Sequence, residues 1–428
     1  MGRNTATLEF IRRHADDDVR QLALRGTKDA DVDLPFALDQ IAGRQTARRK
    51  LPTWAATEGI VYPPHLSMEQ CSSETTARYK AQLISNLLNT TNYLRPFGSE
   101  QKATGTRPKD GNPEVERQLQ TSFIDLTGGL GVDFSFLARV FDQAVYVEQQ
   151  TDLCDAARHN MRLLGLEKAE IVCADGTDYL RQTTRHYTLI YIDPARRDVH
   201  GGRTFAISDC TPDVLTLLDE LMAKSDVVLL KLSPMLDWRK AISDIGEQWV
   251  REVHIVSVGN ECKELLLLLF PGEGLRVVCV NDCQVFESNG ANGTEPHEPY
   301  EPYGPHGPFP RFLYEPNASI MKAGCFDEVA ERFSVTQIAP NSHLFLADRL
   351  VADFPGRAFE VLAVTTMNKH ELKEKLLGIE KANIAVRNFP LSVAELRRRL
   401  KISEGSSTYI FATTLKGKRH ALLICSKA

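Results

Sequence analysis

Residues 123–134 read FIDLTGGLGVDF. An apolar strand pattern runs into Asp125, a turn built on Gly128, Gly129 and Gly131 follows, and a helical pattern resumes at Val132. Glycines permit a turn this tight and let backbone approach a ligand closely. The start of the following helix presents unpaired amide groups, a seat for polar ligand atoms. Asp125 stands at the strand end, where a cation or a hydroxyl can be held. Alone, such a turn suits a dinucleotide-binding protein equally well.

The next three strands narrow the reading. AVYVE ends in Glu148, AEIVCAD ends in Asp175 ahead of Gly176, and TLIYID ends in Asp193. An acid closing the second strand can accept hydrogen bonds from both hydroxyls of a ribose. One closing the third can accept from the exocyclic amine of adenine. Each acid by itself is explained as well by a helix cap. Four in register, at the edge where open α/β sheets bind ligands, indicate a site. A nicotinamide-dependent dehydrogenase is the rival. It would carry GxGxxG where this chain has GGxG, and would need a hydride-transfer His or Tyr-x-x-x-Lys set that no segment supplies.

From 121 to 272 strands alternate with helices. The strands are SFIDL, AVYVE, AEIVCA, TLIYID, VVLLKL, EVHIVSV and ELLLLLF. Nearly continuous apolar strands separated by helices predict an α/β fold with a parallel sheet covered on both faces. The short VGNECKE between the last two strands predicts an antiparallel hairpin at that end. This combination resembles class I S-adenosylmethionine-dependent methyltransferases. The resemblance implies a Rossmann-like seven-stranded sheet whose last strand is antiparallel, with S-adenosyl-L-methionine as cofactor. It carries cofactor binding to Asp125, Thr127, Gly128, Gly129, Gly131, Glu148, Asp175 and Asp193. Gly129 would lie along the methionine part, Glu148 would hold the ribose and Asp175 the adenine. No metal is implied.

The fourth strand continues as LIYIDPARRD, 189–198. Methyltransferases of this class that act on exocyclic amines commonly have Asp or Asn, Pro, Pro and an aromatic residue here. The acid and the next carbonyl accept from the amine and orient its lone pair, so that catalysis is mainly positioning. Asp193 and Pro194 match, whereas Ala195 and Arg196 replace the second proline and the aromatic. Guanidinium planes can stack on a base or grip phosphate; pairing of the arginines with Asp198 is the plainer alternative. The candidate catalytic set is Asp193, Pro194, Arg196 and Arg197. Lys231, Ser233 and Pro234 after the fifth strand, and Asn260, Cys262 and Lys263 in the hairpin, would line the substrate side. Cys262 lacks an evident activating histidine, so it reads as a small packing residue rather than a nucleophile.

The remainder of the 428 residues sets the context. With 43% hydrophobic and 25% charged residues the composition is that of a soluble globular protein. Its nine cysteines are dispersed, without a CxxC pair at zinc spacing. MGRNTATLEF has no apolar run of signal-peptide length, and LLLLLF at 265–270 is too short to cross a membrane. A cytoplasmic protein without membrane contact is expected. Residues 1–98 read as a helical domain with three helices, in TLEFIRRHADDDVRQLALRG, LPFALDQIAGRQTARRKL and SSETTARYKAQLISNLLN, the last capped by Ser72 or Ser73. Residues 99–120 read as a linker and 121–272 as the methyltransferase domain. A small insert at 273–337 includes a Pro/Gly-rich loop at 288–310. Residues 338–428 read as a small α/β domain.

MEQCSSETTARYKA, LYEPNASIMKAG, DPARRD and VGNECKE together resemble a bacterial methyltransferase family with a helical N-terminus, a ferredoxin-like insert and a THUMP-like C-terminal domain. Its catalytic pattern is distantly similar to trimethylguanosine synthases, although the Pro-Pro-Trp signature of those enzymes is missing. THUMP-type domains accompany enzymes that modify structured RNA. The chain carries a net charge of −5, yet residues 371–428 hold twelve lysines and arginines against five acids. Such a local excess is the footprint expected for a phosphate backbone, centred on Arg397, Arg398, Arg399 and Lys401. The expected function is methylation of a base in tRNA or rRNA. The alternatives are a small-molecule or protein methyltransferase whose C-terminal domain docks a protein, and a non-catalytic module that keeps the cofactor site.

Overall fold

A computed structural model describes residues 4–63, 65–90, 120–196, 206–290 and 309–428. Residues 99–119 of the expected linker, Arg197, Asp198 and most of the Pro/Gly-rich loop lie outside the described residues. The chain forms two compact units, Met1–Arg251 with Glu264–Glu273, and Glu252–Lys263 with Gly274–Ala428.

The first unit opens with helices α1 (Thr5–Arg13), α2 (Val19–Arg25), α3 (Leu34–Lys50), α4 (Pro52–Ala56), α5 (His65–Gln70) and α6 (Glu74–Asn89). The expected first helix is therefore two. The aspartate run ends it, because Asp18 leaves the helical conformation and caps α2 by accepting from the Gln21 amide at 2.9 Å. Ser73, not Ser72, caps α6, accepting from the Thr76 amide at 3.2 Å.

The strands that follow are β1 (Ser122–Asp125), β2 (Gln143–Glu148), β3 (Glu170–Cys173), β4 (Tyr187–Ile192), β5 (Ser225–Leu232), β6 (Val250–Val258) and β7 (Glu261–Leu269), then β8 (Arg276–Asn281) and β9 (Gln284–Ser288). Within the first unit they hydrogen-bond in the order β7-β5-β4-β1-β2-β3, and within the second in the order β9-β8-β6. β1 to β5 run parallel and β7 is antiparallel to β5. Helices α7 (Val132–Leu137), α8 (Thr151–Leu163), α9 (Gly176–Gln182), α10 (Val214–Ala223) and α11 (Trp238–Ile245) make the crossovers. The run Leu265 to Leu269 is completely buried, as a strand covered on both faces requires. In the second unit, β8 pairs in parallel with β6, and β9 folds back on β8. The start of the expected insert thus pairs with a strand from before residue 272.

The second unit carries another sheet. Its strands are β10 (Phe312–Pro316), β11 (Thr336–Gln337), β12 (Phe345–Ala347), β13 (Gly356–Thr365), β14 (Asn383–Arg387), β15 (Thr408–Leu415) and β16 (Arg419–Lys427), in the order β11-β12-β10-β13-β16-β15-β14. The break expected near 338 is absent, because 312–347 and 356–427 share this sheet. Buried Glu315 on β10 ties it together, pairing with Arg357 and, at 2.6 Å, with Arg387.

Candidate functional site

The glycine turn is built from both sides. Asp125 accepts from the Thr127 amide at 2.9 Å, and the Thr127 hydroxyl accepts from the Asp193 amide at 2.8 Å, joining the ends of β1 and β4. A Cβ on Gly128 would lie 2.3 Å from the Tyr146 ring, and one on Gly131, at φ +83°, 2.6 Å from Met161. Packing on the Tyr146 ring requires the first glycine, and the left-handed backbone favours the second. Gly129 differs: at φ +53°, its nearest neighbour would be 3.7 Å away, so its outer face is open. Its amide donates to Glu148 at 2.9 Å, and the other oxygen of Glu148 accepts from Gln150 at 2.8 Å. Two backbone amides thereby fix a carboxylate whose remaining lone pairs suit a ribose diol.

Asp175 is exposed and caps α9 through one oxygen, which accepts from Thr177 at 2.8 Å and Asp178 at 3.1 Å. The Thr177 hydroxyl bond, first among several, holds its carboxyl below the usual range. A Cβ on the following Gly176 would strike the Leu126 carbonyl at 2.1 Å. Asp125 departs from its expected role. It is 1% exposed and folds under the turn, where burial pushes its carboxyl well above the usual range, with Asp133 and Asp193 nearby adding to the rise. It builds the turn from below instead of facing the ligand edge.

Asp193 ends beside Lys231 of β5, with which it makes an ion pair. Behind them lies a cluster that sequence reading missed. Lys231 is 3.8 Å from Asp133, Asp133 is 3.1 Å from Lys80 of α6, and Lys80 pairs with Glu264 of β7. Ser72 donates to Asp133 at 2.7 Å, and Tyr191 does so at 2.6 Å. Burial alone would raise the Asp133 carboxyl; Lys80 and Lys231 outweigh it and hold it below the usual range. Burial would likewise lower the Lys231 ammonium, yet Asp193, Asp133 and Glu264 together push it up. Two signals could have found the cluster. Lys80 falls on the buried stripe of α6 with Ala77, Ile84 and Leu87, and Glu264 heads an otherwise apolar run.

Pro194 is buried, and Ala195–Arg196 pairs antiparallel with Cys210–Thr211, so the chain leaves the edge as a short ribbon. Glu74, at the start of α6, is used locally: it accepts from the Thr53 amide at 2.7 Å and pairs with Arg78. Asn260 in the β6–β7 turn accepts from the Ala318 amide at 2.8 Å, holding a helix start within the second unit. Among the basic residues, Arg397 is half-buried and donates to the Ala382 carbonyl at 3.2 Å, whereas Arg398, Arg399 and Lys401 are exposed. Arg397 therefore holds the helix Val393–Leu400 in place rather than standing free for phosphate. Among the described residues, no group of three His, Cys, Asp or Glu side chains is placed to hold a metal ion, and no helix is long and apolar enough to cross a membrane.

Similarity to known proteins gives the family. A solved structure, "putative methyltransferase from Porphyromonas gingivalis W83", is 30% identical over 99% of this chain and 98% of its own, with a TM-score of 0.78. The chain belongs to this methyltransferase family. Its C-terminal residues 356–427 match the family model of a THUMP domain-like module, and 312–355 match that of a ferredoxin-like domain. The family is thus a class I methyltransferase fold joined to a THUMP-like domain. More distant solved structures include a Streptococcus mutans methyltransferase in complex with SAH, 12% identical over 36% of this chain and 89% of its own, and an rRNA methylase of Streptococcus thermophilus, 11% identical over 36% and 88%. Their TM-scores are both 0.27. No curated protein matches the sequence.

Proposed function

We propose that the protein transfers a methyl group from S-adenosyl-L-methionine to structured RNA. The observation that carries the cofactor half is the pairing of Gly129, open above, with Glu148, which two backbone amides fix in place. A nucleoside with an adjoining charged chain fits there: its ribose on Glu148, its adenine toward Asp175, its amino-acid part along Gly129. The residues present thus fit the cofactor. The RNA half is supported by the THUMP-like module and its exposed Arg398, Arg399 and Lys401. Pro194 would brace the acceptor end, and the guanidinium groups of Arg196 and Arg197 would stack on a base or bind phosphate.

The test is transfer in solution. Full-length protein is incubated with methyl-tritiated S-adenosylmethionine and total RNA from a strain lacking the gene. Label in the RNA, at a position already filled in wild-type RNA, is the expected result. Label in a protein or small-molecule fraction, with none in RNA, would favour a docking role for the C-terminal domain.

A further inference from the structure

We infer that the acceptor atom is a hydroxyl oxygen, the ribose 2′-hydroxyl of RNA, with Asp193 and Lys231 as the two residues that touch it. The inference rests on the RNA methyltransferase reading and changes the acceptor expected from the sequence, which was a base.

The argument is one of donors and acceptors. An exocyclic amine offers N–H donors and needs acceptors around it. At the end of β4 one carboxylate oxygen of Asp193 is paired with an ammonium, which has only donors, so one free acceptor oxygen stands beside a donor. An amine, with its N–H donors, would use the acceptor and face the donor with nothing to offer but the lone pair that must attack. A hydroxyl suits the pair: its proton points to the carboxylate while its oxygen accepts from the ammonium. No aromatic residue follows Pro194 to stack on a base, since Ala195, Arg196 and Arg197 stand there. In an internal nucleotide of RNA the 2′-hydroxyl is the one hydroxyl available.

The chemistry also differs. An amine can shed its proton after methylation, but a hydroxyl is a weak nucleophile and needs a base as it reacts. The hydroxyl oxygen forms the new O–C bond to the methyl carbon as the C–S bond breaks, and the electron pair stays on sulfur to give S-adenosylhomocysteine. The hydroxyl proton passes to the Asp193 carboxylate and then to water. Lys231 stabilises the negative charge growing on the oxygen. The Asp193 side chain keeps 37% exposure and Lys231 12%, whereas Lys80 and Glu264 keep 0% and 4%. The outer pair is thus the accessible one, and the inner pair surrounds it with fixed charge. Although Lys231 pulls the other way, the surrounding protein leaves the Asp193 carboxyl above the usual range, which makes it a better base.

The experiment uses the full chain, trideuteromethyl S-adenosylmethionine and total RNA from a strain lacking the gene. The RNA is digested to nucleosides and each labelled nucleoside is fragmented at its glycosidic bond. The expected label stays on the sugar. Label on the base overturns the inference while leaving RNA methylation standing; no label in any RNA overturns both. Lys231→Met is measured alongside, with S-adenosylmethionine affinity as the check on folding. Turnover should fall by about 10²–10³-fold with affinity within about twofold. Should Lys231→Met fail to bind, Lys231→Arg, which keeps the charge, is expected to bind cofactor and retain sugar labelling. A bound, folded Lys231→Met with turnover near wild type contradicts the role given to Lys231.

Discussion

Asp125 shows how a residue's chemistry follows from its depth. As a strand-end acid it resembled a ligand contact, but it lies under the glycine turn, where burial pushes its carboxyl well above the usual range. A carboxyl that binds its proton more tightly folded than unfolded loses stability as pH rises above its unfolded value, about 3.9. Asp125→Asn removes that loss. The variant should gain stability over wild type progressively from about pH 4 upward, read by denaturant unfolding at several pH values. A gain that is constant with pH would mean that folding leaves the Asp125 carboxyl at its unfolded value. Glu148, at the same edge, is held instead by two backbone amides, from Gly129 and Gln150.

Among the elements, α6 joins the helical region to the site. Lys80 is fully buried between Asp133 and Glu264. Removing one partner from such a cluster leaves uncompensated buried charge and costs about 3–5 kcal/mol. Lys80→Met should therefore destabilise the first unit by that amount in chemical denaturation, and adding Glu264→Gln should restore part of it. A loss under about 1 kcal/mol, typical of a surface pair, would contradict the burial. The alternating strands, the antiparallel β7 and the acid-tipped edge were legible in the sequence, because period and strand-end residues are local signals. The cluster was not, since its members come from α6, α7, β5 and β7 and meet only after folding. The expected boundary near 338 falls within one sheet, because apolar alternation marks strands but not which sheet they join, and β10 to β16 join one; the family models change over at 355/356. Ser72 and Ser73 were equivalent in sequence; only the packed helix assigns one to the cap and frees the other for Asp133.

At the scale of the whole molecule, the two units divide the proposed work between methyl donor and RNA. The exposed part of the basic helix predicts binding that falls steeply with salt. Replacing Arg398 and Arg399 by Gln should weaken RNA binding and reduce the slope of log affinity against log salt by about 0.9 for each phosphate no longer neutralised, if duplex-like RNA behaves as B-DNA does. Arg397→Gln should act mainly on stability, because its guanidinium is bound to the Ala382 carbonyl. Equal effects of all three changes on the salt slope would contradict that division. The most direct measurement of the central claim is calorimetric titration of S-adenosylmethionine into full-length protein and into Glu148→Ala. One site per chain, weakened by at least about tenfold, or 1.4 kcal/mol, in the variant is the expected result. No heat with wild type, or equal affinity in the two proteins, would contradict it.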